Sequence, residues 1–315
     1  MSKMDYKNAS LKLLKENLAL KRGEKLTVVT DRQNCPIFSA VSFAGKKLGA
    51  QVKHIHISNN RTNSEPVPEL RALFLNSDVI VGITDNSLSH CPETKEAMKK
   101  GARIITMPGI GKSNSLFLKA IKADSGKIHA ITKKLADKMK GVRKIRVTSP
   151  KGTELMIIAT PSTIDLDNGD STSPGSLNNL PYGEVSEAPV NIANGILAID
   201  SSDLGISPSD NVRVELRNGK IISCNNNNAR RFVSLLKKID GERATRIVEI
   251  GLGTNYLHTK LMGNILHDEK MIGTVHIAFG GYGDKRKCKI HEDVMVLKPT
   301  VWFDGKAVIK DGKIL

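Results

Sequence analysis

LTVVTDRQNCPIFSAVSFAGKKLGAQVKHIHI, residues 26–57, reads as strand, helix, strand. Leu26-Thr27-Val28-Val29-Thr30 is a short apolar, β-branched run closed by Asp31. Residues 37–48 carry apolar positions at helical spacing, and Gly49 supplies the left-handed stop. Residues 52–57 return to a strand pattern. A strand, a crossover helix and a second strand in that order form a parallel pair.

The same alternation extends in both directions. Residues 11–20 are helical in pattern and stop at Arg22-Gly23. Helical patterns at 66–75 and 93–100 alternate with strand runs at 79–83 and 103–106. A long helical stretch spans about 114–139, broken near Asp124-Ser125-Gly126. Residues 1–141 therefore read as a Rossmann-like α/β domain with a parallel sheet. After Gly141 the character changes: strand-like runs at 144–148, 154–159, 195–200, 212–216 and 220–223 come close together. Asn218-Gly219 between the last two marks a two-residue hairpin, because both positions need positive φ. Residues 230–239 are helical, and strands follow at 246–250, 274–279, 293–297 and 301–303. This makes 142–315 an α+β, β-rich domain. Within it, 165–182 is rich in Asn, Ser, Gly and Pro and reads as a long functional loop.

The 315 residues suit two domains. Lys plus Arg exceed Asp plus Glu by 48 to 32, a charge of +16. The basic residues are dispersed and aromatics are only 4%, which argues for a solvated surface and against a nucleic-acid platform. The four cysteines form no C-x-x-C pair. With neither an apolar leader nor an 18-residue apolar run, the expected compartment is a reduced cytoplasm, with no membrane partner.

Against that ordinary background one pattern carries chemistry. His291 and Asp293 open a strand and, two apart, face the same side. His276 lies in the apolar run Thr274–Gly280, and Glu249 in Arg246–Gly251. A buried carboxylate such as Glu249 needs a cation or hydrogen-bond donors. Glu184 sits at the end of the long loop. Two histidines with one carboxylate suit an open iron(II) site. Adding both glutamates gives enough oxygen ligands for two metals. No H-E-x-x-H helix is present. His90 follows a strand end of the first domain, where a general base or a substrate contact belongs. Gly251-Leu252-Gly253-Thr254-Asn255 and Gly280-Gly281-Tyr282-Gly283 lack dinucleotide or phosphate-loop spacing and read as turns beside the site. His267-Asp268-Glu269 reads as an exposed acidic turn, the alternative being a segment that supports the metal ligands from behind.

The motifs LPYGEVSEA (180–188), EIGLGTN (249–255), DEKMIGTVHIAFG (268–280) and IHEDV (290–294) resemble the aminopeptidase T family, the leucyl aminopeptidase group of metallopeptidases. The resemblance covers most of the chain. It implies an N-terminal α/β domain, a metal-binding C-terminal domain, a homodimer, and a ligand set of Glu184, Glu249, His276, His291 and Asp293. The chain is also similar to the 2,5-dihydroxypyridine dioxygenases. That likeness implies a single Fe(II) on His276, His291 and Asp293, with His90 as base. Only 14 residues separate His276 from His291, fewer than in the peptidases. The leading expectation is a two-metal (Zn, Co or Mn) aminopeptidase acting on small peptides, with Glu184 or Glu249 bridging the metals or accepting the proton. The alternative is a mononuclear Fe(II) ring-cleaving dioxygenase acting on a small molecule.

Overall fold

Strand β1 (Lys25–Thr30), the helix Pro36–Lys47 and strand β2 (Gln51–His56) form the parallel unit expected from residues 26–57. The computed structural model describes residues 3–61, 65–89, 91–109, 119–159, 163–282 and 286–315. The chain divides into two units, 1–129 with 167–182, and 130–166 with 183–315.

In the first unit β3 (Val79–Ile83) and β4 (Arg103–Thr106) continue the parallel sheet, in the order β2-β1-β3-β4-β8. The last member, β8 (Leu177–Asn179), is parallel to β4. It comes from the segment read as a loop. Its polar residues hide it from an apolar search: Asn179 Oδ1 accepts from Ser89 Oγ at 2.8 Å, and Asn178 Nδ2 donates to Ser171 Oγ at 2.8 Å. Side-chain hydrogen bonds do here what apolar packing does in β1. At the carboxyl ends of β1 to β3 lies a cavity of about 560 Å³ lined by Asp31, Arg32, Gln33, His56, Asn59 and Asp85. The helix expected over 114–139 is seen as Ser125–Met139; residues 114–118 lie outside the described residues.

The second unit holds two sheets. One has eight strands: β13 (Lys220–Cys224), β12 (Val212–Arg217), β10 (Ile192–Ile199), β6 (Glu154–Ile158), β5 (Lys144–Thr148), β17 (Thr300–Phe303), β18 (Lys306–Lys310) and β19 (Lys313–Ile314), in that order. Asn218 and Gly219, at φ 48° and 73°, make the expected tight turn between β12 and β13. The other sheet has six strands, in the order β11 (Ser201–Ser202), β16 (Arg286–Val296), β15 (Val275–Tyr282), β14 (Ile247–Gly253), β9 (Glu184–Ala188) and β7 (Thr163–Asp167).

Strand alternation sorts the side chains of the six-stranded sheet. Val185, Ile250, Leu252, Val275, Ile277, Phe279, Val294 and Val296 all join one apolar core with Ile145, Val147, Leu155 and Ile157 of the eight-stranded sheet. The helix Asn227–Asp240, capped by Asn226, adds Phe232 edge-on to Phe279 at 6.1 Å. Their odd neighbours are forced to the opposite face: Glu184, Ser186, Gly251, His276, Ala278 and Asp293. Among the described residues no helix is long and apolar enough to cross a membrane.

Candidate metal centre

Register places the candidate residues together. Asp293 on β16 is opposite Ala278 on β15, which is opposite Glu249 on β14. Two residues along, His276 is opposite Gly251, and Glu184 on β9 is opposite Gly253. The floor between the charged residues is made of Gly and Ala, which leaves room for the ionisable side chains above it. All five ligand candidates of the second unit thus belong to one sheet. His90, the base suggested by sequence, lies outside the described residues.

The five lie close enough to act on one another electrostatically. His291 Nε2 is 3.4 Å from Glu249 Oε2 and 3.4 Å from Asp293 Oδ2. His291 Nδ1 donates to the Gly281 carbonyl at 2.6 Å. That bond fixes the tautomer and turns Nε2 toward the carboxylates, as a metal-ligating histidine requires. His276 Nε2 is 3.6 Å from Glu184 Oε1, and His276 also acts electrostatically on Glu249 and Asp293.

Two further residues enter, Glu269 from the acidic turn and Lys270, to which sequence reading had given no role. Glu269 and Lys270 are buried, and the Lys270 ammonium bonds both Glu184 and Glu269, the latter at 2.8 Å. The acidic turn expected to be exposed is interior. Asn264 caps a short helix, Ile265–Asp268. The Asp268 carboxylate accepts from Gly263 N at 3.0 Å and faces the buried His258 at 3.4 Å. The signal available in the sequence was the cap Asn264 followed by apolar Ile265-Leu266. Gly283 lies outside the described residues; within the two glycine-rich runs read as turns, Gly251–Gly253 and Gly280–Tyr282 are strand instead. Their missing Cβ atoms make space: one on Gly253 would lie 1.9 Å from the Met271 carbonyl. Because Gly253 has none, the Glu269–Met271 backbone can lie against β14, and Asn255 N donates to the Lys270 carbonyl at 2.9 Å.

Among the described residues, the buried carboxylates of this site outnumber its one ammonium group. Glu184, Glu249, Glu269 and Asp293 are all buried, against Lys270 and the imidazoles. Burial and the neighbouring Asp293 raise Glu249, although His291 opposes them. Burial alone would also raise Asp293, but His291 outweighs it and holds that carboxyl at about 2. Asp293 Oδ1 and His276 Nδ1 are buried with no hydrogen-bond partner among the described residues. Excess buried carboxylate beside an oriented imidazole fits a divalent cation. More than a third of the His291 side chain, 37%, is exposed, so the group has access to solvent.

Burial works against charging His291, but Asp293, Glu249 and the Gly281 carbonyl outweigh it and raise its pKa well above the usual imidazole value. Without metal, His291 keeps its proton to higher pH than a free imidazole does, and a metal must displace that proton. We expect metal binding to release about one proton, and affinity to fall roughly tenfold per pH unit lowered while pH is below the raised value. Calorimetry in buffers of different ionisation enthalpy measures this; a buffer-independent heat would contradict it.

Fold and site together define an enzyme with a cluster suited to metal. The chain belongs to the 2,5-dihydroxypyridine 5,6-dioxygenase (NicX) family, whose sequence model matches residues 10–315. The structure of a 2,5-dihydroxypyridine dioxygenase from Pseudomonas putida KT2440 is similar over 100% of this chain and 98% of that one, with a TM-score of 0.82 at 18% identity. Wild-type AmpT from Thermus thermophilus is similar over 99% of each chain, with a TM-score of 0.70 at 13% identity. At such identities these two likenesses show the fold. No curated protein matches the chain. Of the two families resembled in sequence, the matching family model is that of the dioxygenases.

Proposed function

We propose that this protein is a ring-cleaving dioxygenase that uses one Fe(II) and acts on a small dihydroxylated nitrogen heteroaromatic. The observation that carries the reading is the convergence of Glu249, His291 and Asp293, in a chain whose family model is that of a 2,5-dihydroxypyridine dioxygenase. These three side chains would hold the metal. When bound, Fe(II) supplies open coordination positions for oxygen chemistry. The protein's own residues orient and protect. The Gly281 carbonyl fixes the His291 ring. His276, buried beside Glu184, holds or passes a proton of the ring hydroxyl. Glu249, Asp293 and His276 are buried, which strengthens the electrostatic contacts among them.

The test is oxygen uptake with dihydroxypyridines by protein loaded with Fe(II) under nitrogen. Stoichiometric uptake with loss of ring absorbance is expected. Release of amino acids from peptides with free N-termini, without oxygen uptake, would replace this reading with the hydrolase one, which the AmpT-like fold also accommodates. Roles within the site separate by variant. Glu249→Gln should lose most of its bound iron, whereas His276→Gln should retain iron and lose turnover by roughly 10²-fold. Equal iron loss in both would return His276 to the ligand set.

A further inference from the structure

The strand order β2-β1-β3-β4-β8 reverses direction at β1: the chain steps one way to β2 and then back past β1 to β3. Such a switch point opens a crevice between the carboxyl ends of the two strands, and ligands of open α/β sheets bind there. In this chain the cavity of about 560 Å³ occupies that place, and its size suits a small molecule. It is built wholly from the first unit. Ser89, one residue before His90, is bonded to Thr106 on β4 and Asn179 on β8, on the far side of β3 from β1 and β2. Asp31 follows β1 and is 9% exposed. Its Oδ2 accepts from Asp85 N at 2.8 Å, while its Oδ1 is buried with no hydrogen-bond partner among the described residues. Burial outweighs the bond from Asp85 N and the nearby Arg61 guanidinium, and raises the Asp31 carboxyl above its usual value. Arg32 places Nε and Nη2 on one oxygen of Asp85, at 2.8 and 2.6 Å, and leaves Nη1 without a hydrogen bond among the described residues.

We propose that this cavity binds a free α-amino acid, with its ammonium on Asp31 and its carboxylate on Arg32. The ground is the match of charge. Asp31 and Asp85 balance Arg32 and Arg61, so a ligand of single charge would leave one charge unpaired, whereas a zwitterion leaves none. An uncharged diol would donate to Asp31 without neutralising it; an ammonium does both. The donors that Arg32 keeps beyond its bond to Asp85 suit a carboxylate. Gln33 and Asn59 line the same cavity with amides that both donate and accept, as a polar amino-acid side chain requires. A dinucleotide is a poor match, because the turn that leaves β1, residues 31–35, has no glycine to let a pyrophosphate approach the backbone. The inference goes beyond the proposed ring cleavage, since no residue lining the cavity belongs to the metal centre.

The test is binding and needs no turnover. Full-length protein stripped of metal is titrated with single free amino acids, by thermal shift and then by calorimetry. The N-acetyl and α-amide forms of whichever binds follow. At least one amino acid should bind saturably, and each blocked form should bind about tenfold more weakly or worse, because each lacks one charged end. Asp31→Asn keeps the shape of the side chain, and Arg32→Gln alters one that is 41% exposed. Each should weaken binding by about tenfold or more. If Asp31→Asn fails to fold, Arg32→Gln and the blocked ligands decide. Binding of no amino acid would overturn the proposal, as would undiminished binding of the blocked forms or unchanged affinity in a folded Asp31→Asn. Tighter binding of ribose or of putrescine would also overturn it and would name a diol or an amine as the occupant. Loading the protein with Fe(II) should leave the affinity unchanged. Amino-acid binding seen only with metal present would belong to the metal centre and would overturn this inference, whatever the oxygen-uptake experiment shows.

Discussion

Asp293→Ala is expected to purify with almost no bound metal and to lose at least about a thousandfold in turnover, equivalent to about 4 kcal/mol of transition-state stabilisation. The fold should survive. Asp293 is a buried carboxylate whose Oδ1 has no hydrogen-bond partner among the described residues, and it pushes Glu249 toward protonation by like-charge repulsion. Its removal therefore relieves a cost as well as a contact. His291→Ala should lose as much metal and more stability, because Glu249 and Asp293 are then left facing each other without the imidazole between them. Metal analysis, circular dichroism and turnover on the same preparations check both. A folded Asp293→Ala with normal iron content would remove this residue from the centre.

Gly251→Ala is the second large effect. A Cβ at this position would lie 2.0 Å from His276 Cε1 and 2.3 Å from its Nε2. Gly251 is directly opposite His276 on the paired strand, and the ring is 1% exposed, so neither partner can step aside. Overpacking at so confined a site should cost on the order of 3 kcal/mol and displace His276 from Glu184. Urea unfolding with an unchanged m-value measures it. Stability within about 0.5 kcal/mol of wild type would show that the sheet can yield, and that the glycine floor is not what seats the imidazole.

How legible the molecule was depends on the kind of signal. β1, β3 and β4 are apolar and β-branched because helices or neighbouring strands cover them, so their burial is written into residue type. The Asn218-Gly219 turn is legible because a positive φ at two consecutive positions selects those residues. β8 was illegible because three polar-flanked residues satisfied by Asn and Ser side chains look like loop. The Gly251–Gly253 run was misread because glycine in sequence signals flexibility, whereas here it signals that another chain segment lies where a Cβ would be.

For the centre, period-2 alternation alone placed His291 beside Asp293, since adjacent strand positions point apart and alternate ones together. Sequence also marked Glu184, Glu249 and His276 as ionisable residues in or beside apolar runs. What it could not decide is who stands next to whom. That depends on strand order and register, which set Glu249 across from Ala278 and, through it, Asp293, and left His276 beside Glu184. Nor could it bring in Lys270, whose place follows from a short capped helix folding its successor against a strand with no Cβ in the way. Local patterns are decided by residues within a few positions of each other; the partners of a buried charge are decided by packing, and only the tertiary structure states them.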